Sequence, residues 1–66
     1  MGGDHGRSGA VDFLKRIGYE QYVDMFVREG ADSTEEIKMM DDSDLQAMGI
    51  AKRMHRKRIL KEAEKL

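Results

Sequence analysis

The stretch DDSDLQAMGIAKRMHRKRIL, residues 41–60, decides the fold. Asp41 precedes a helical pattern and Asp44 follows it by three residues, which suits a cap and the third position of a helix start. Leu45 and Met48 then share one helical face. Gly49 suits the left-handed residue that ends a helix, and Ile50 the apolar contact that follows such an end. A longer helix is expected from about Lys52 to Leu66, with Ile59, Leu60, Ala63 and Leu66 turned inward.

The same reading extends toward the N-terminus. Ser33 and Glu36 form an S-x-x-E capping box for a short third helix. In it Ile37 and Met40 face inward and Met39 outward. Tyr19, Tyr22, Val23 and Phe26 recur at i, i+3, i+4 and i+7, one face of a second helix that Gly30 stops. Val11, Leu14 and Ile17, with Phe13 beside them, mark a first helix that Gly18 ends. Nothing alternates as a strand would. The expected fold is all-α: a compact five-helix bundle with a longer C-terminal helix, over residues 10–66. Residues 1–9, MGGDHGRSG, read as a flexible Gly-rich leader or a cloning scar.

Composition removes several function classes. Sixty-six residues allow one domain and little interior for a deep substrate cleft. There is no Cys and only two His, so neither a disulfide nor a thiol nucleophile is possible and a closed zinc site is not expected. The close carboxylates Asp41, Asp42 and Asp44 lack the Gly and the distal Glu of a calcium loop. Ser8, Ser33, Thr34 and Ser43 have no His spaced as a base. The sequence therefore predicts no enzyme, no cofactor and no small-molecule substrate. No apolar run spans a membrane. A Cys-free, charge-rich chain suits an intracellular setting, cytoplasmic or nuclear.

A net charge of −1 conceals a strong asymmetry. From Arg28 to Asp44 two basic residues stand against seven acidic ones, a net −5. From Ala51 to Leu66 seven basic residues stand against two acidic ones, a net +5. Such a dipole points to a charged partner, or to a second copy. Cations at a helix start oppose the helix dipole, so Lys52 and Arg53 at the head of the fifth helix are costly there and seek an anion. Several of the acids, by contrast, have local duties at helix starts.

Taken together, V-x-F-L-x-x-I-G (11–18), Y-x-x-Y-x-x-x-F (19–26), D-L (44–45), M-G-I (48–50) and H-R-K-R-I-L (55–60) resemble the sterile alpha motif (SAM) domain. The family usually has an aliphatic residue at Tyr19, Gly at Met54 and a Ser or Thr cap near Ala51. The resemblance implies a five-helix protein-interaction module. Many members associate head to tail, joining a mid-loop surface to an end-helix surface at the N-terminus of the fifth helix. A minority bind RNA hairpins through a basic surface that includes the fifth helix, and others take lipid or unrelated partners.

The expected interaction residues are therefore Lys52, Arg53, Met54, Arg56 and Lys57 on the basic side. On the acidic side they are Asp32, Glu35, Glu36, Met39, Asp41, Asp42 and Asp44. The expected partner is another SAM domain, either a second copy or a different one. RNA binding through the basic fifth helix is the alternative. Met39 and Met54 are expected to be exposed and to serve as interface anchors. His55 is expected to pack against the bundle. Tyr19 and Tyr22 are expected in the core rather than as a base-stacking pair.

Overall fold

A computed structural model of the chain describes residues 5–66, with side chains from residue 9 onward. Five helices follow one another: α1 (His5–Arg16), α2 (Val23–Arg28), α3 (Thr34–Lys38), α4 (Asp42–Met48) and α5 (Arg53–Ala63). A 3-10 turn, Glu20–Tyr22, leads into α2. Among the described residues there is no strand. α1 packs on α2 and α3, while α5 packs on α3 and α4. Phe13, Leu14, Phe26, Ile37, Leu45, Ile50 and Ile59 meet between them, each almost wholly excluded from solvent.

Local chemistry sets the helix ends. Asp41 Oδ1 accepts from the Asp44 N–H at 2.9 Å and Asp44 Oδ2 accepts from the Asp41 N–H at 3.0 Å, completing the expected capping box. At α3 only half of the expected box is present: Ser33 Oγ accepts from the Glu36 N–H at 3.3 Å. Gly18, Gly30 and Gly49 all have positive φ. At each, the glycine N–H bonds three residues back and the next N–H bonds five back, as in Ile50 N–H to Leu45 C=O at 3.1 Å. Gly49, at φ 119°, turns the chain so that Ile50 drops into the core.

The fold departs from the sequence reading in four places. The second helix does not start at Tyr19. That residue has φ −116° and ψ 40° with no side-chain cap, and the 3-10 turn intervenes. α5 stops at Ala63, so Leu66 lies beyond it at 36% exposure rather than inward. α1 begins at His5, inside the stretch expected as a leader, and residues 1–4 of that stretch lie outside the described residues. Gly9 lies where α1 closes on α3. A Cβ added there would stand 3.1 Å from Thr34 N, and the Ala10 N–H bonds Asp32 C=O nearby.

The fourth departure concerns Arg56, expected on the basic surface. Helical spacing puts it in line with Ile59 and Ala63, and it is buried, 7% exposed. Its Nε donates to Asp42 Oδ1 at 2.8 Å. Its Nη1 donates to the carbonyls of Ile50 at 2.9 Å and Ala51 at 3.0 Å. The guanidinium thus satisfies backbone groups at the α4–α5 corner and ties that corner to the first turn of α4. It is a structural cation, unavailable to a partner.

Two expectations for stability follow. Asp41→Ala should cost about 1 kcal/mol through the lost cap. Arg56→Ala should cost about 3 kcal/mol, because it strands two carbonyls and removes a charged hydrogen bond. Urea unfolding followed by circular dichroism measures both. Equal midpoints for Arg56→Ala and wild type would contradict the role given to this residue.

Candidate functional site

The acidic residues split into those spent on the fold and those left free. Asp41 caps α4, and Asp42, half exposed, is held by Arg56. Asp32 is half-buried beside the middle of α1, where its carbonyl accepts from the Ala10 N–H. Glu35 and Glu36 project from α3, and Met39 at the end of that helix is 78% exposed. Glu36 and Asp44 also line a cleft of about 260 Å³ enclosed by α2, α3 and α4. Glu29 is its third carboxylate, with the half-buried Met40 and Met48 and the exposed Ala47 beside them.

Glu29, Met40 and Met48 are the part of this surface that the sequence reading missed as a site. Glu29 entered only as a unit of charge, and the two methionines only as core. The available signal was Gly30: a chain reversal directly after Glu29 swings that carboxylate back toward α3 and α4.

The basic surface is narrower than expected. Lys52 caps α5 only by its position, since no side chain bonds the free amides of the first turn, and that turn contains no acid. Lys52, Arg53 and Met54 are exposed there, Met54 at 68%. Met54, Lys57, Arg58 and Lys61 recur at i, i+3, i+4 and i+7 and form the outward stripe of α5. With Arg56 withdrawn into the corner, Lys57 and Arg58 are the cations one helical turn from Met54.

An aromatic cluster supports α5 along one flank of that stripe. Tyr22 Oη lies 2.6 Å from His55 Nδ1, a hydrogen bond joining residues 33 positions apart. The His55 ring stacks on Tyr19 at 4.7 Å, and Tyr19 meets Tyr22 edge-on at 5.7 Å. His55 therefore packs against the bundle, as expected. Tyr22 is buried, while Tyr19 is half-buried and has the Arg58 guanidinium 5.8 Å from its ring centre. Among the described residues, no group of three or more His, Asp or Glu is placed to hold a metal ion. No described helix is long and apolar enough to cross a membrane.

A family model for the SAM domain (sterile alpha motif) matches residues 8–66. The chain belongs to the SAM domain family. SAM domains are non-catalytic protein-interaction modules, and the charged surfaces of this one are read in that light. No solved structure matches the chain.

The Arg56 tie alters what a charge reversal in this SAM domain reports. Asp42→Lys puts a second cation beside a buried guanidinium, so the melting temperature should fall before any binding effect is read. Glu29→Lys should leave it nearly unchanged, because a cation suits the C-terminal end of α2. Tyr22→Phe should cost about 1 kcal/mol for the lost hydrogen bond. Differential scanning calorimetry of the three variants checks all three expectations.

Proposed function

We propose that this SAM domain associates head to tail with another SAM domain, and that a second copy of the chain is a complementary partner. The basic end-helix surface of Lys52, Arg53, Met54 and Lys57 meets the acidic surface of Glu35, Glu36 and Met39, to which we add Glu29; the capping carboxylates Asp41 and Asp44 contribute only their charge. One observation carries the reading. Two surfaces of opposite sign, each with an exposed methionine, stand on different elements of one small domain and share no residue. Such a contact is heterologous, and a head-to-tail pair leaves one surface free at each end, so it adds further copies instead of closing as a two-fold dimer.

Electrostatics and burial divide the work. Exposed ion pairs contribute only about 0–1 kcal/mol each, so charge brings the surfaces together and orients them. Affinity requires apolar contact at the centre. RNA is disfavoured as the partner. Its phosphates would find the α5 cations, but Phe13, Phe26 and Tyr22 are buried, and the half-buried Tyr19, already stacked on His55, is the one Phe or Tyr ring left to meet a base.

Charge reversal with complementation tests the reading. Arg53→Glu and Glu29→Lys both place charge where the helix dipole favours it, so both variants should fold. Sedimentation should show mass rising with concentration for wild type at low salt. It should fall toward monomer near 0.5 M salt, where the screening length is about 4 Å. Each variant alone should stay monomeric, and an equimolar mixture should form a capped heterodimer. A mixture that remains monomeric would exclude self-association and leave a different SAM domain as partner. Salt-sensitive binding of a hairpin RNA, strengthened by Glu29→Lys, would instead favour RNA.

A further inference from the structure

Beyond the start of α5, its outer flank forms a groove against the turn that begins at Tyr19. Tyr19, Met54, Lys57, Arg58, Lys61 and Glu62 line a space of about 410 Å³. Its apolar part is the Tyr19 ring and the Met54 side chain. The ring is fixed from below by His55 at 4.7 Å and edge-on by Tyr22, whose hydroxyl in turn holds His55 at 2.6 Å. Three cations stand at the rim. The single acid, Glu62, is half-buried and already paired with Lys65, Nζ to Oε2 at 3.6 Å. The groove therefore suits an apolar side chain flanked by carboxylates.

The same chain displays such a group. Among the described residues, Met39 is the most exposed of the large apolar ones. Glu35 and Glu36 stand four and three residues before it, on the same face of α3, and both are exposed. The groove and Met39 lie on different elements, α5 with the Tyr19 turn and the end of α3, so one copy can offer each to another. The depression between Lys38, Asp41, Leu60 and Glu64 carries both signs of charge and selects no such partner.

We infer that Met39 of a second copy seats in the groove between Tyr19 and the outer flank of α5. Its thioether lies against the Tyr19 ring, and Glu35 and Glu36 face Lys57, Arg58 and Lys61. A sulfur–aromatic contact favours methionine over an aliphatic residue of similar size there. This rests on the head-to-tail reading and fixes its register. The basic surface then extends along α5 to Lys61 instead of ending at its first turn, and Tyr19 and Arg58 become interface residues.

The chain contains no Cys, so introduced thiols are the only ones present. A Met39→Cys variant is mixed at low salt with a Lys61→Cys variant, oxidised, and resolved on a non-reducing gel. Gln46→Cys, exposed on α4, replaces Lys61→Cys as the control. Loss of the Met39 side chain is common to both arms, so at protein concentrations high enough to keep the weakened pair docked, the 39–61 heterodisulfide should exceed the 39–46 product about tenfold. Sedimentation of Met39→Ala should show self-association weakened about tenfold with an unchanged melting curve. Equal yields at positions 61 and 46, with Arg53→Glu and Glu29→Lys still complementing each other, would overturn this docking and leave the charge pairing standing. Absence of both complementation and the 39–61 product would overturn the docking and self-association together.

Discussion

The corner between α4 and α5 depends on one buried guanidinium. Arg56 donates to Asp42 in the first turn of α4 and to the carbonyls of Ile50 and Ala51 in the connection. Those carbonyls belong to residues between the two helices, and an unsatisfied one would be costly in so small a core. No buried side-chain polar atom among the described residues lacks a partner. Through this tie α5 keeps its direction relative to α4, and with it the acidic face keeps its distance from the outward stripe of Met54, Lys57 and Lys61. A Lys at this position would offer a single point of charge where a planar fork with several donors is needed.

The tie also shows how the chain uses charge economically. Asp41 and Asp44 satisfy helix amides, Asp42 satisfies Arg56, and Arg56 satisfies the backbone. What remains uncommitted is a smaller set: Glu29, Glu35 and Glu36 on one side, and Lys52, Arg53, Lys57, Arg58 and Lys61 on the other. The imbalance between the halves of the sequence is therefore real at the surface. Fewer residues carry it than a count of charges suggests.

Features written within a few residues were legible in the sequence. The Asp41–Asp44 box and the Gly49–Ile50 turn use bonds that close over three to five residues, and both are present. Family membership and the five-helix architecture were legible for the same reason, because apolar spacing and cap chemistry are local. The burial of Arg56 was not read, since it needs an aspartate fourteen positions back and two carbonyls facing inward. Its alignment with Ile59 and Ala63 was the clue, outweighed by the run of cations around it. The Tyr22–His55 bond and the Glu29 cleft join segments that only the folded chain brings together. The 3-10 turn after Tyr19 went unread because its four apolar positions fit an uninterrupted helix equally well.

The two helices that meet at the Arg56 corner begin very differently. α4 starts with reciprocal bonds that claim its leading amides, whereas α5 starts with no side-chain acceptor at all. A helix end without such acceptors frays, and its leading turn opens without the rest of the molecule unfolding. In solvent deuterium, the amides of Arg53, Met54 and His55 are therefore expected to exchange before those of the interior turns around Ile59. Lys52 and Arg53 thus sit on backbone whose leading amides no side chain claims. Part of the free energy of any contact made there goes into ordering that turn.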